Sequence, residues 1–282
     1  MPANLSHLEF QLFKSYINEK CGIDISEDKA YLVETRLSKL LVDSGMNSFD
    51  ELYYAIRKNN DPHMSEKLID AITTNETLWF RDKSPWIILE EVLLPRYIDM
   101  LRSQVKSKIR IWSAASSTGQ EAYSTAMCID HYLESKGITD ITLSQFEIIA
   151  TDISQTVLEM ARKGKYDAIS IMRGMEQSYK EKYFTKDGMV WEIKDKIKNA
   201  VKFDHFNLQN SFMFLGKYDI IFCRYVLIYF SDEFKKEITS KMFHSMHSKG
   251  ILFIGASELY NLLEENFDMN HYGNATYYSK RG

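Results

Sequence analysis

The amino-acid sequence predicts a small all-helical domain followed by an α/β domain that is built on a mainly parallel sheet. Three observations support this fold class. The first 70 or so residues show only helical spacing of apolar side chains. From about residue 86 onward, buried strand-like runs alternate with helical patterns, which is typical of βαβ units. Residues 108–124 form a strand, a turn of small residues and a helix in succession, which is the first half of such a unit.

Composition and charge narrow the classes of protein to which this chain can belong. Its 282 residues are 45% hydrophobic and 26% charged, as in a globular protein. The net charge of −4 gives no overall basic signature for nucleic acid, and no apolar run approaches the roughly 18 residues of a membrane span. Cys21, Cys128 and Cys223 lack the spacing of a metal site and fit a reducing compartment without disulfides. We therefore expect a cytoplasmic protein with no metal, no nucleic-acid partner and no direct membrane insertion.

The helical domain, residues 1–72, carries basic side chains on its second predicted helix. Lys29, Arg36 and Lys39 lie on the polar side of that helix, opposite its apolar face. A solvated helix face is the plain interpretation of these charges. The alternative is a docking surface for an acidic helix of a partner.

A bridge, residues 73–84, joins the two domains. Ser84 and Pro85 predict the start of a helix, so the bridge lies between two helices. It contains four hydrogen-bonding side chains and then an aromatic pair with an arginine: Thr73, Thr74, Asn75, Thr77, Trp79, Phe80 and Arg81. A linker needs no such aromatic residues, although they could also fill the core of an ordinary interdomain turn.

The second domain, residues 85–282, contains a regular series of predicted strands. After the first strand come buried runs at residues 146–150, 201–203, 218–223 and 250–255, and residues 267–269 and 275–279 can form a closing antiparallel pair. Residues 182–200 break the rhythm with short extended runs around Asp187 and Gly188, which predicts an inserted antiparallel β-subdomain.

Ligands of such sheets lie across the carboxyl ends of the parallel strands. A dinucleotide site favours G-x-G-x-x-G, but the turn at residues 113–119 has one glycine, Gly119, and no basic residue. Glu121 would repel a pyrophosphate and suits a cationic ammonium or sulfonium group, so the residues favour S-adenosylmethionine. Asp152, at the end of the second strand, can accept hydrogen bonds from a ribose diol. It could instead cap the next helix, unless Ser154 is that cap.

Five blocks of the sequence belong together. They are T-T-N-E-T-L-W-F-R at 73–81, W-S-A-A-S-S-T-G-Q-E-A-Y-S at 112–124, A-T-D-I-S at 150–154, N-L at 207–208 and I-F-C-R-Y-V-L-I-Y-F at 221–230. In this order they resemble the chemoreceptor glutamate methyltransferases, the CheR family, whose patterns for the first two blocks are T-x-N-x-T-x-F-F-R and W-S-A-A-x-S-T-G-E-E-P-Y-S. The resemblance covers nearly the whole chain. It implies the Rossmann-like fold of the class I methyltransferases that use S-adenosylmethionine and release S-adenosylhomocysteine.

The resemblance also implies roles for single residues. The cofactor-binding set that it implies is Asn75, Thr77, Arg81, Ala114, Glu121, Asp152, Asn207, Leu208, Tyr225 and Val226. Within that set, Glu121 would bind the methionine part, Asp152 the ribose, and Asn207 with Leu208 the adenine side. Arg81 and Tyr229 match the pair that orients the reacting groups. From the residues alone, Arg81 could also be a plain salt-bridge residue and Tyr229 an interior aromatic.

The chain departs from the family at several positions. Tyr225 replaces the asparagine of the family's C-R-N-V, and residues 120–123 read Q-E-A-Y in place of E-E-P-Y. The G-H-S-E of some members is G-A-S-E at 255–258. The turn of the inserted hairpin is also shorter than the loop of members that bind a receptor's C-terminal peptide.

The implied activity is methyl transfer from S-adenosylmethionine to glutamate side chains of methyl-accepting chemotaxis receptors, by a monomer that does not use a peptide tether. Two alternatives stay open at this point. One is a relative that binds the cofactor or its product but has lost catalysis through Tyr225. The other is a methyltransferase of the same fold that acts on a non-receptor protein.

Overall fold

A computed structural model of the chain describes residues 4–58, 62–258 and 263–282. Within these ranges the first domain contains the helices α1 (His7–Cys21), α2 (Ala30–Asp43), α3 (Phe49–Lys58) and α4 (Pro62–Ile72) and a short 3-10 turn at Glu27–Lys29, and an isolated β-bridge joins its Ile23 to Phe230 of the second domain. Apolar side chains at helical spacing, among them Phe13, Ile17 and Leu37, meet in one core. The predicted all-helical domain is confirmed. No helix in the described ranges combines the length and apolarity that crossing a membrane requires.

The second domain is organised around a large sheet and a small one. In chain order the strands are β1 (Ile109–Ala114), β2 (Phe146–Asp152), β3 (Lys165–Asp167), β4 (Phe184–Asp187), β5 (Val190–Ile193), β6 (Val201–His205), β7 (Tyr218–Cys223), β8 (Met246–Ile254), β9 (Phe267–Tyr272) and β10 (Ala275–Lys280). Among the described residues the large sheet has the order β6-β2-β1-β7-β8-β10-β9. Its first five strands are parallel, and β10 is antiparallel to both of its neighbours. This confirms the predicted mainly parallel sheet with an antiparallel C-terminal pair.

Helices cover both faces of the large sheet. In chain order the α-helices of this domain are α5 (Ser84–Ile88), α6 (Leu94–Arg102), α7 (Gln120–Ser135), α8 (Gln155–Lys163), α9 (Ala168–Met172), α10 (Gln177–Tyr183), α11 (Asp195–Lys198) and α12 (Asp232–His244), of which α9 and α10 pack against the small sheet. Successive residues of the central strands pack into different cores: Ile111 and Ile220 belong to one, Trp112 and Ile221 to the other. Burial on both faces explains why these strands are apolar runs without alternation. A π-helical turn, Leu89–Leu93, joins α5 and α6 and has no signal in the sequence.

The small sheet has the order β3-β5-β4 and is antiparallel, as predicted for the insertion. Strand β3 was not anticipated, because three residues with only one buried side chain leave no clear pattern. Strands β4 and β5 are joined by the two residues Gly188 and Met189, so the turn is short. The bridge packs against this sheet, since the Trp79 ring makes edge contacts with the rings of Tyr166 and Phe184.

Gly174 lies where the bridge passes closest to the segment after α9. Its φ is +98°, and a Cβ there would come within 2.1 Å of the Trp79 carbonyl oxygen. We expect Gly174→Ala to lower the free energy of unfolding by about 3 kcal/mol, because it combines backbone strain with a backbone clash. Gly137→Ala is the matched control: its φ of +62° is equally left-handed, but nothing lies within 4 Å of the added Cβ. It should cost only about 1 kcal/mol. If urea denaturation showed the same loss of unfolding free energy for both variants, the close approach of Gly174 to the Trp79 carbonyl would be contradicted.

Candidate functional site

A cavity of about 230 Å³ lies between the two domains. Its walls come from the end of α1, from α2, from the bridge, and from the segments that follow β1, β2, β6 and β7. Ten of the predicted catalytic and cofactor-binding residues line it: Asn75, Thr77, Arg81, Glu121, Asp152, Asn207, Leu208, Tyr225, Val226 and Tyr229. The fold therefore brings together side chains that are up to 154 residues apart in the chain (229 minus 75).

The turn after β1 forms one wall through its backbone. Ala114, the last residue of the strand, is buried in the sheet core and does not line the cavity, whereas Ala115, Ser116 and Ser117 do. Ala115 and Ser117 have φ values of +56° and +51°. Left-handed residues next to residues with ordinary negative φ turn the chain sharply. Strained backbone of this kind is common at functional sites. Ala114, predicted as a cofactor-binding residue, is therefore not part of the cavity wall, which the three residues after it form instead.

Asp152 sits at the carboxyl end of β2 with its side chain almost fully buried. One carboxylate oxygen accepts from the Ser117 backbone N–H at 2.8 Å and the other from the Ser154 N–H at 3.0 Å. Ser154 is the cap of α8, since its hydroxyl accepts from the Val157 N–H. Asp152 is therefore not the helix cap, but neither is it free of partners. Asp152 lines the cavity, so a diol bound there could donate to its remaining lone pairs.

Burial raises the pKa of the Asp152 carboxyl above its ordinary value of 3.8, against the lowering effect of its backbone hydrogen bonds. A raised folded-state pKa means that the neutral form stabilises the fold at low pH and that this contribution is lost as the pH rises through the folded pKa. Binding of a hydroxyl donor has the opposite dependence, because it uses the ionised form.

We expect the affinity for S-adenosylhomocysteine to fall about tenfold per pH unit once the pH drops below that raised pKa. An exposed aspartate would produce the same loss only at lower pH. Calorimetric titration across the acid range measures it, with Asp152→Asn as control. The asparagine cannot titrate, so this variant should bind S-adenosylhomocysteine more weakly at neutral pH, and its affinity should change less with pH in the acid range. If its affinity fell with pH as steeply as that of the unmodified chain, Asp152 would not be the group that titrates.

Arg224, whose role the sequence did not show, connects the walls of the cavity. Its side chain is 2% exposed, and it donates to Glu121 at 2.9 Å, to Asp82 at 2.7 Å and to the Arg81 carbonyl at 2.8 Å. Glu121 also accepts from the Ser113 hydroxyl at 2.8 Å. The sequence signal that could have identified it is an arginine directly after an apolar strand-like run. An arginine at such a place is close to the core and needs partners.

Glu258 is a second residue whose role the sequence did not show. Its buried carboxylate accepts from the backbone N–H groups of Tyr225 at 2.7 Å, Leu227 at 2.8 Å and Gly255 at 2.6 Å. It therefore fixes the loop after β7 against the end of β8. A Cβ at Gly255 would lie 2.7 Å from this carboxylate and 2.9 Å from the Tyr225 ring, so a larger residue there would have to displace them. The G-A-S-E block thus has a structural task that does not involve its second residue.

The loop after β6 and the loop after β7 both contact the helical domain. The Asn207 side-chain amide donates to the Lys20 carbonyl at 2.7 Å, and its oxygen accepts from the Gln209 N–H. The Tyr229 carbonyl accepts from the Asp24 N–H at 2.8 Å. Asn207 thus ties the domains together through its side chain, which leaves its backbone and Leu208 for the adenine contact predicted there. The Tyr229 hydroxyl has no hydrogen-bond partner within the described ranges.

The predicted docking residues fall into two groups. Lys29 and Arg36 line the cavity, whereas Lys39 is exposed on α2 away from it. Arg36 is not a free surface cation, because its guanidinium donates to the Ile72 carbonyl and to the Thr74 hydroxyl, the latter at 2.9 Å. It holds the start of the bridge. Lys29 and Lys39 are the exposed members of the set.

Two buried polar atoms test whether the cavity fits a polar ligand such as S-adenosylmethionine. Among the described residues, the Ser116 hydroxyl and the Arg224 Nε–H are buried and have no partner, and both residues line the cavity. Unpaired buried polar groups are costly, so a ligand that pairs with them is favoured. With Glu121 for an ammonium group and Asp152 for a diol, these donors and acceptors match an amino-acid part and a ribose. The residues present therefore fit that cofactor.

Comparisons with known proteins agree with this fit. The profile of the CheR methyltransferase SAM-binding domain matches residues 75–275, and that of the CheR methyltransferase all-alpha domain matches residues 8–73. The chain is 40% identical over 264 residues to "Chemotaxis protein methyltransferase Cher2" of Pseudomonas putida, which covers 93% of this chain and 94% of that protein. It is 38% identical over 265 residues to "Chemotaxis protein methyltransferase 1" of Pseudomonas aeruginosa, with 94% of each chain covered. For "Chemotaxis protein methyltransferase" of Vibrio parahaemolyticus the identity is 40% over 267 residues, again with 94% of each covered.

Proposed function

Because this chain belongs to the CheR methyltransferase family, we propose that it methylates glutamate side chains on the cytoplasmic helices of chemotaxis receptors. The product of the reaction would be a γ-glutamyl methyl ester. The observation that carries the proposal is the interdomain cavity, which combines the matched cofactor domain with two groups suited to a carboxylate, Arg81 and Tyr229. Among the described residues the Arg81 guanidinium has no protein carboxylate to pair with, so it is available to a carboxylate ligand.

S-adenosylmethionine supplies a methyl group on a cationic sulfur. The chain's own residues would hold and align the acceptor. A glutamate side chain has an ordinary pKa of about 4.3, so it is already ionised at neutral pH and needs no general base. What it needs is desolvation and alignment, and alignment alone can supply a large part of a rate enhancement. Arg81 can hold a carboxylate by two N–H donors, and the Tyr229 hydroxyl can donate to one oxygen.

Glu121 and Arg224 suit the two charged ends of the cofactor's amino-acid part. Glu121 uses one bond on each carboxylate oxygen and retains lone pairs for an ammonium group. The unpaired Nε–H of Arg224 suits the carboxylate. Because Arg224 is nine-tenths buried and already ion-paired, its position changes little on binding, and such preorganisation limits the entropic cost.

The decisive experiment is methyl transfer from radiolabelled S-adenosylmethionine to receptor-containing membranes, followed by release of base-labile methanol. Glutamyl methyl esters hydrolyse in base, whereas methylated nitrogen does not. Transfer with methanol release is the expected result. Cofactor binding without transfer to any protein would favour the relative that has lost catalysis. Transfer to another protein, with unmodified receptors, would favour a methyltransferase with a different protein substrate.

We expect the exposed lysines of the helical domain to attract the acidic receptor helix. The variant Lys39→Glu, at a side chain outside the cavity, should raise the KM for receptor about threefold at low salt with little change in kcat, because surface charges act chiefly on encounter. High salt should shrink the difference. Lys136→Glu, at the exposed end of α7, is the matched control and should leave KM unchanged. An equal rise in KM for Lys136→Glu and Lys39→Glu would argue against a local docking surface.

We also propose that the enzyme uses no peptide tether and acts as a monomer. The absence of a tether is supported by the two-residue connection between β4 and β5, which is too short to form a long peptide-binding loop. Titration with a receptor's C-terminal peptide should therefore give no measurable binding. Light scattering should give the mass of one chain, with and without S-adenosylhomocysteine.

A further inference from the structure

Tyr225 occupies an unusual place at the end of β7. Its backbone is left-handed, with φ at +59°, and its N–H donates to Glu258 at 2.7 Å. Non-glycine residues seldom adopt this conformation, and they persist in it only where the surroundings enforce it. Here the enforcing group is the buried Glu258 carboxylate. The consequence is a phenol that contacts the bridge: its hydroxyl donates to Asp82 at 2.5 Å.

The face of the Tyr225 ring carries the Arg81 guanidinium. The guanidinium carbon lies 3.5 Å from the ring centroid, well within the range of a cation–π contact. Within the described ranges, the Arg81 guanidinium donates no hydrogen bond and forms no ion pair, and Arg81 lines the cavity. The ring therefore holds the cation by its face, while the N–H donors at its edge stay available to a ligand.

Asp82 holds the Tyr225 hydroxyl and links it to Arg224. Its carboxylate accepts from the Tyr225 hydroxyl and from Arg224, and Arg224 also binds the Arg81 carbonyl. Phe80, Asp82 and the residue after it all have positive φ, so the backbone around Arg81 is strained and needs such ties. Burial and the neighbouring Asp82 carboxylate raise the pKa of Tyr225, which keeps the phenol protonated and able to donate.

We propose that Tyr225 is a positioning residue that sets the Arg81 guanidinium within the cavity, by its ring face and through Asp82. This differs from the direct cofactor contact that its sequence position implied. The inference rests on the proposed function for its catalytic readout, but its geometry concerns this chain's own residues. We expect the Tyr225 ring to contribute more to this positioning than the hydroxyl does. The ring touches the guanidinium, whereas the hydroxyl acts through Asp82.

A double-mutant cycle tests the proposal. We expect Tyr225→Leu to lower kcat/KM for methyl transfer about tenfold, the scale of a partly desolvated cation–π contact. Tyr225→Phe keeps the ring and should lose about threefold or less, and Tyr225→Asn, the residue of the family pattern, should resemble the leucine variant. In an Arg81→Ala background, Tyr225→Leu should cost almost nothing further, because the group through which it acts is gone.

Affinity for S-adenosylhomocysteine is measured on the same variants, so that two failures can be told apart. If the unmodified enzyme transfers no methyl group to receptors, the proposed function has failed, and the cycle is evaluated on this affinity alone. Tyr272→Phe is the matched control, since it removes a surface tyrosine–carboxylate bond to Glu91 and should change neither readout. Additive effects of Arg81→Ala and Tyr225→Leu in both readouts would overturn the proposal, as would equal losses for the phenylalanine and leucine variants.

Discussion

Replacement of Arg224 by methionine should lower the free energy of unfolding by about 3–5 kcal/mol, which is the cost of leaving a buried ion pair with one partner. Methionine retains much of the volume of the arginine stem, so the loss reports charge and not a cavity. The reason lies in the contacts: Glu121 and Asp82 would both lose their cation, and the Arg81 carbonyl would lose its donor. Urea denaturation measures the change. We also expect cofactor affinity to fall at least about tenfold.

A second variant separates the effect on folding from the effect on binding. Arg224→Met combined with Glu121→Gln removes one of the two stranded carboxylates, so it should recover part of the lost stability. It should not recover cofactor affinity, because the glutamine cannot pair with an ammonium group as an ion. A single Arg224→Met variant that loses less than about 1 kcal/mol would show that the buried network is not what fixes these walls.

Arg81→Ala should behave in the opposite way. We expect it to lower kcat/KM for methyl transfer by about a hundredfold, the order of a lost bidentate alignment. Stability should change by less than about 1 kcal/mol, because among the described residues the Arg81 guanidinium makes a cation–π contact with the Tyr225 ring but no hydrogen bond or ion pair. Arg102→Ala, which breaks a surface ion pair to Asp140, is the control and should leave transfer unchanged.

The same variant decides which carboxylate Arg81 holds. If Arg81 binds the acceptor glutamate, the affinity for S-adenosylhomocysteine should be unchanged while transfer falls. If it binds the carboxylate of the cofactor, that affinity should fall in parallel with kcat/KM. Should Arg81→Ala leave both binding and transfer intact, the assignment of the bridge to the site is wrong.

The sequence determined the architecture and the residues that meet in the cavity. Strands buried on both faces appear as continuous apolar runs, and their order along the chain with intervening helices leaves few topologies. Because the carboxyl ends of parallel strands meet at one edge, Glu121, Asp152, Asn207 and Tyr225 could be assigned to one site before any coordinates. Local patterns and chain order are sufficient for such assignments.

Only the tertiary structure decided what the individual polar side chains around the cavity do. Asn207 ties the two domains together, Arg36 holds the bridge, and Glu258 fixes the loop that carries Tyr225. These roles depend on partners 33 to 187 residues away, or on a left-handed backbone at a residue that is not glycine. A linear pattern records which side chains are polar, but the partner of a buried charge is set by packing across the whole fold. For that reason Arg224, the cation that joins the walls of the cavity, emerged from the structure and not from the motif that contains it.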